Sequence, residues 1–267
     1  MLGAIAGDIA GSVYENFHTK RKDVKLFGRL SRFTDDTVLT VAVADAILTG
    51  RDYGRAIKSY ARRHPLRGYG PRFLAWMALP INRPYNSFGN GSAMRVSPVA
   101  FAFDSEQEVL NQARRSAECT HNHPEGIKGA QAVALAAYMA RMGADKESIR
   151  TRIEKDFGYN VSRTIDAIRR GYSFDMTCQG SVPEAIVAFL DSTSYEDAVR
   201  NAISLGGDSD TQACIAGAIA EAYYKDIPPE FLRHVRRRLS RSLWAKTLEF
   251  YRRYGIDKII KEIDSLG

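Results

Sequence analysis

Asp208-Ser209-Asp210-Thr211, with Ala213-Cys214-Ile215-Ala216-Gly217-Ala218-Ile219-Ala220 just behind it, is the stretch whose reading decides the fold. Small residues fall on every face of the helix this run predicts, so it can approach its neighbours closely and be buried on most sides. Gly217 costs such a helix about 1 kcal/mol relative to alanine, which close packing offsets. Working outward, Gly3, Gly7 and Gly11 form a second small-residue stripe at helical spacing. Val38, Val41, Ala42, Asp45 and Leu48 also recur with helical period, and Gly50 supplies a stop. Asp52 can cap a following segment that carries Ala56, Ile57, Tyr60 and Ala61. Further helices are expected over 106–118, 125–141, 146–156, 183–190, 195–204, 211–224, 230–238, 243–254 and 257–263. Sustained period-two alternation is nearly absent. The expected class is all-α.

The chain has 267 residues, 45% hydrophobic and 26% charged, a composition that fits a soluble globular protein. Such a length admits one large domain or two small ones. Chemistry-bearing residues run from Gly3 to Asp210, which favours a single domain over 1–267. Three cysteines without paired spacing argue against a disulfide framework or a zinc knuckle and fit a reducing cytoplasm. The opening Met1-Leu2-Gly3-Ala4-Ile5-Ala6-Gly7-Asp8 lacks a basic n-region, and no weakly polar run is long enough to span a bilayer. A cytoplasmic protein without membrane contact is expected, and a monomer, since no heptad seam is present. The net charge of +7 is concentrated in Arg233-His234-Val235-Arg236-Arg237-Arg238 and Arg241. That run reads either as the solvated face of a C-terminal helix or as contact with an anionic partner such as a nucleic acid. No zinc-finger or aromatic-basic RNA-binding signature accompanies it.

Two acidic clusters carry the chemistry. In Thr34-Asp35-Asp36-Thr37, Thr34 suits an N-cap, and Asp35 and Asp36 meet the positive end of a helix dipole. Asp208 and Asp210 follow Gly206-Gly207, a pair that lets an extended loop pass close to a ligand or metal, with the Thr211 hydroxyl beside them. Two acids exceed what one cap needs. Jointly the clusters suggest an oxygen-only site for a hard divalent cation. A helix bearing the Gly3, Gly7 and Gly11 stripe can deliver Glu15 to that site, while Asp8 suits either a buried structural bond or a ligand role. The loop from Tyr85 to Arg95, with Gly89-Asn90-Gly91-Ser92 at its centre, reads as a backbone cradle for an anion before a helix near Ser92, or as a tight turn. His121, in Thr120-His121-Asn122-His123-Pro124, suits phosphate or hydroxyl contacts better than an oxygen-rich metal site.

In this order, Gly3-Ala4-Ile5-Ala6-Gly7-Asp8, Phe33-Thr34-Asp35-Asp36-Thr37, Gly89-Asn90-Gly91-Ser92-Ala93-Met94-Arg95, Thr120-His121 and Gly206-Gly207-Asp208-Ser209-Asp210-Thr211 resemble the ADP-ribosylglycohydrolase family over about the first 225 residues. The resemblance implies a compact orthogonal helical bundle with two Mg²⁺ or Mn²⁺ ions in a central cleft. It implies Thr34, Asp35, Asp36, Asp208, Asp210 and Thr211 as metal ligands, and Glu15 as the group approaching the metals and the catalytic water. An Asp of either cluster, Asp35 or Asp210, competes for that catalytic role. Gly89, Asn90, Gly91 and Ser92 match the loop around ribose and diphosphate, and His121 matches a substrate-contacting position. Ser209 stands where many members carry threonine. Phe88, Tyr172 and Tyr223 are candidates for stacking on adenine. The implied reaction is hydrolysis of ADP-ribose from an acceptor, foremost an arginine side chain of a protein. Serine-linked, nucleic-acid-linked or O-acetyl ADP-ribose, or a non-catalytic binding relative, are the alternatives.

Overall fold

The computed structural model describes residues 1–80 and 83–265. Among them the chain forms, in order, α1 (Leu2–Gly11), α2 (Asp35–Thr49), α3 (Tyr53–Arg63), α4 (Pro71–Ala78), α5 (Gly91–Met94), α6 (Ser97–Ala102), α7 (Glu106–Glu118) and α8 (Pro124–Arg141). There follow α9 (Lys146–Phe157), α10 (Ile165–Gly171), α11 (Cys178–Leu190), α12 (Tyr195–Ile203), α13 (Ser209–Tyr224), α14 (Pro229–Arg238), α15 (Arg241–Tyr254) and α16 (Asp257–Ser265). No strand forms among the described residues, and an isolated antiparallel bridge pairs Gly89 with Thr177. The fold is all-α.

Helix α13 is the centre of the molecule. Every residue from Ser209 to Ala222 is buried, against α1, α8, α11 and α12. The two small-residue stripes meet each other. A Cβ at Gly3 would overlap the Gly217 carbonyl oxygen, one at Gly7 the Ala213 carbonyl, and one at Gly11 the Ser209 carbonyl. The pairing is therefore antiparallel, at one contact per turn, and a methyl group at any of these three positions would force the backbones apart. Glu221 of α13 accepts from the Gly3 amide (2.7 Å) and the Tyr251 hydroxyl from the Leu2 amide (2.9 Å), which satisfies free donors of the first turn of α1. Because the pair is antiparallel, the C-terminus of α1 arrives at the N-terminus of α13. That junction is where the carboxylates gather.

Some boundaries differ from the periodicity. Helix α11 starts at Cys178, five residues before Pro183, because the Thr177 side chain caps it by accepting from the Gly180 amide. Helix α13 starts at Ser209, so Asp210 and Thr211 lie in its first turn and not in an extended loop. Helix α1 ends at Gly11, and Glu15 sits in the turn that follows it. In α14, Phe231, Leu232 and Val235 are buried while Arg233, Arg236 and Arg237 face outward. Its charge run is thus the exposed face of an amphipathic helix. None of the described helices is long and apolar enough to cross a membrane.

Candidate active site

The N-terminus of α2 is closed by groups from two helices. Thr34 is its N-cap, with the side chain accepting from the Asp36 amide (3.3 Å). From α1, the Asp8 carboxylate accepts from the Thr34 amide (3.0 Å) and hydroxyl (2.8 Å), the Thr37 amide (3.1 Å) and the Thr37 hydroxyl. Burial raises the Asp8 pKa to about 6, and these four donors oppose the rise. Asp8 is thereby a strut between α1 and α2, with its acceptor sites filled.

The N-terminus of α13 is different. Asp208 stands at its N-cap position but makes no side-chain cap bond. Its Oδ2 instead accepts from the Asn90 amide nitrogen (2.7 Å), which also donates to the Ser181 hydroxyl (3.1 Å). Carboxylate oxygens of Glu15, Asp208 and Asp210 lie within 4.8 Å of one another. The Thr211 hydroxyl spans toward α2, 3.5 Å from Asp36 Oδ2, at the outer limit of a hydrogen bond. Asp36 Oδ1 is buried and has no partner. Asp35 is half-buried and donates its amide to the Arg67 carbonyl (2.8 Å).

Every carboxylate of this group has a raised pKa, by burial first. Burial is the largest cause for Asp35, Asp36 and Asp210, all held well above the usual carboxylate range, and the charge of neighbouring acids adds to it. Asp208 and Glu15 are raised as well, again by burial first, with Asp208 adding to the rise at Glu15. Among the described residues none of these acids has an ion-pair partner. An oxygen-only donor set, an orphaned Asp36 oxygen and raised pKa values together fit a cation ligand, and a hard divalent ion suits such side chains.

These groups line one cavity of about 290 Å³. Glu15, Asp35, Asp36, Asp208, Asp210 and Thr211 form one wall, and Gly89, Asn90, Gly91 and His121 line it as well. The cradle is held by backbone pairing: the Asn90 amide donates to the Met176 carbonyl (2.8 Å) and the Cys178 amide to the Phe88 carbonyl (2.9 Å). Two expected site residues lie off the cavity. Thr34 is buried in its cap, and Ser92 is fully buried with its hydroxyl donating to the Gly126 carbonyl (2.7 Å).

The aromatic candidates lie elsewhere too. Phe88 packs on the His123 ring (5.4 Å), Tyr223 on Phe189 (5.3 Å), and the Tyr172 hydroxyl donates to the Gly180 carbonyl (2.8 Å). The cavity is instead lined by Tyr85, Phe73 and Phe174, with Met176 and Arg72. Phe174 and Met176 lie in a non-periodic segment, brought over the cavity by the Gly89–Thr177 bridge, and no sequence signal marks them. The glycine pair also serves another end than expected. Gly206 takes a left-handed φ of +65°, and a Cβ on Gly207 would overlap the Tyr172 ring, so the close approach is to protein and not to ligand.

An acid-lined cleft between helix N-termini in an all-α body is what the geometry shows, and the family the chain matches gives its class, hydrolases of the glycosidic bond to ADP-ribose. The chain belongs to the ADP-ribosylglycohydrolase family, whose model matches residues 1–257. It is 29% identical to the mouse (Mus musculus) ADP-ribosylhydrolase ARH3, over 84% of this chain and 82% of that protein. It is 27% identical to the ADP-ribosylarginine hydrolase Tri1 of Pseudomonas putida, over 88% of this chain and 72% of that protein. A solved structure described as an ADP-ribosylglycohydrolase-related protein complex superposes with a TM-score of 0.71 at 25% identity, covering 95% of both chains.

Proposed function

We propose that this chain is a metal-dependent hydrolase that frees ADP-ribose from a modified arginine side chain of a protein. The observation that carries the reading is the convergence of both acidic clusters and Glu15 on a cavity that also contains the Gly89–Gly91 cradle and His121. The arginine acceptor follows the name of the Pseudomonas relative. One domain holds the entire site, a reading supported by the antiparallel seat of α1 on α13.

In this reading Thr34, Asp35, Asp36, Asp208, Asp210 and Thr211 hold two Mg²⁺ or Mn²⁺ ions. Once bound, such ions supply Lewis-acid charge and make water more acidic. The rest is the work of the chain. Thr34 is buried at the α2 cap with its hydroxyl 3.2 Å from Asp36 Oδ2, and Asn90 fixes the orientation of Asp208. Glu15, half-buried with a raised pKa, is placed to orient water and accept its proton as the water attacks the anomeric carbon. Asp35 and Asp210, which line the same cavity, compete for that role. Cleavage passes through an oxocarbenium-like state, as in other glycoside hydrolyses. The Gly91 amide and the imidazole of His121 receive the diphosphate and ribose oxygens, with Ser92 bracing that loop from beneath.

A second reading, cleavage of serine-linked, nucleic-acid-linked or O-acetyl ADP-ribose, is favoured by the match to the mouse relative, whose name fixes no acceptor. Hydrolysis measured on a panel of defined conjugates, with Mg²⁺, with Mn²⁺ and with EDTA, separates the two. Release from ADP-ribosyl-arginine that EDTA abolishes is the expected result. Release only from another linkage would replace the acceptor, and EDTA-resistant release would remove the metals.

A further inference from the structure

Arg95 is the largest fully buried side chain, and among the described residues no carboxylate pairs with it. Its Nη2 donates to the Ser116 carbonyl (2.8 Å) and to the Thr120 hydroxyl (2.9 Å), while Nε and Nη1 are buried without partners. A guanidinium held this way is costly, and scaffolding alone could be served by a neutral donor. The Thr120 hydroxyl has a second neighbour, His121 Nδ1, at 2.7 Å. Guanidinium nitrogens only donate, so a hydroxyl that accepts from Arg95 keeps its own proton for another acceptor. Nδ1, at 2.7 Å, is the acceptor the geometry favours. The remaining imidazole proton is then on Nε2. This nitrogen faces the cradle: a Cβ on Gly91 would lie 3.2 Å from it and one on Gly89 3.7 Å. No described residue accepts a hydrogen bond from Nε2.

We propose that Arg95 and Thr120 are positioning residues that lock His121 in its Nε2–H tautomer, so that the imidazole presents a fixed hydrogen-bond donor to an anionic oxygen of the ligand. The proposal rests on the reading that an ADP-ribose conjugate occupies this cavity. Arg95 acts through Thr120, the residue that joins its guanidinium to the imidazole. The surroundings agree with a neutral ring: burial, then the charges of Arg95 and Arg72, hold the His121 pKa well below its ordinary value. His121 is therefore a donor that stays constant with pH and not a proton shuttle. The tautomer also explains the cradle's composition, since Gly89 and Gly91 leave the Nε2 edge open to a ligand.

The tautomer can be read directly by ¹⁵N NMR of the imidazoles, assigned with His121→Gln. The expected His121 signature is an unprotonated Nδ1 and a protonated Nε2, unchanged between about pH 5 and 8. Thr120→Val keeps the shape and removes the hydroxyl. It should mix the tautomers, weaken ADP-ribose binding in calorimetry about tenfold, and raise KM more than it lowers kcat. Thr120→Ser should restore all three. A wild-type His121 protonated on Nδ1, or titrating in that range, would overturn the proposal. So would a Thr120→Val protein with unaltered tautomer and affinity. The NMR measurement needs no substrate, so it tests the relay separately from the ADP-ribose reading. Failure of wild-type protein to bind ADP-ribose would remove the ligand, and with it the donor's purpose.

Discussion

Two helix N-termini meet side by side at the cavity, and they handle the same residue types differently. At α2, Thr34 caps the helix and Asp8 reaches over from α1 to accept from both threonines of the Thr34–Thr37 cluster. At α13, Asp208 leaves the cap unmade, and its carboxylate clusters with those of Asp210 and Glu15. Asp8 shows a buried acid whose acceptor sites are filled by protein donors. Asp208 and Asp210 show buried acids crowded against another acid, an arrangement that burial and repulsion both oppose. The difference separates a carboxylate that supports the fold from carboxylates kept available for a ligand, and three substitutions or conditions test it.

The largest effect is expected at the α13 end. Asp210→Ala should lower ADP-ribose release by about three orders of magnitude or more, since it removes a ligand and a candidate catalytic carboxylate together. Metal-free stability should stay level or rise in the same variant, because a buried, mutually repelled acid has gone. Turnover and thermal unfolding in EDTA check both halves. Unchanged turnover would break the distinction between the two ends.

A middle-sized effect comes from pH. Asp8, Asp35, Asp36, Asp208 and Asp210 all have folded pKa values above the unfolded one, Asp8 at about 6. A group raised in this way adds its full stability below the unfolded value, near pH 4, and loses it as pH rises through the folded value. For Asp8 alone the loss is on the order of 2–3 kcal/mol between about pH 4 and 7. Metal-free protein should therefore melt at lower temperature as pH rises from about 5 to 8, and Mg²⁺ should close the gap progressively over the same range. Melting curves with EDTA and with Mg²⁺ at each pH read this. A metal-free melting temperature that climbs with pH would mean the acids are compensated by protein after all.

Much of this comparison was legible in the sequence, for identifiable reasons. The small-residue run from Ala213 to Ala220 and the Gly3, Gly7, Gly11 stripe each announced a close helix contact, and the structure joins them to each other. Thr34 was readable as a cap because capping is local chemistry, settled within three residues. Asp8 was left between a structural and a ligand role, since its four donors come from the cap and first turn of a helix distant in the chain. The same limit hid Asn90, whose amide turned out to hold Asp208 from across 118 residues. Phe174 and Met176 were unreadable because a backbone bridge, and not any periodicity, carries their segment over the cavity. Side chains that act within one turn declare themselves in sequence; those that act across the fold need coordinates.

The smallest effect sharpens the comparison most, because Thr34 belongs to both sides of it. Its hydroxyl accepts from the Asp36 amide and lies 2.8 Å from Asp8 and 3.2 Å from Asp36 Oδ2, so it can give its single proton to only one of the two carboxylates. As a cap alone, Thr34→Ala should cost about 1 kcal/mol in urea unfolding, and Thr34→Ser should recover nearly all of it. As a metal ligand, Thr34→Ala should in addition weaken Mg²⁺ affinity, and Thr34→Ser should restore that affinity too. Measuring unfolding and Mg²⁺ binding on both variants places the residue. A stability loss with Mg²⁺ affinity unchanged would leave the α2 terminus purely structural at its cap and confine metal binding to Asp35, Asp36 and the α13 carboxylates.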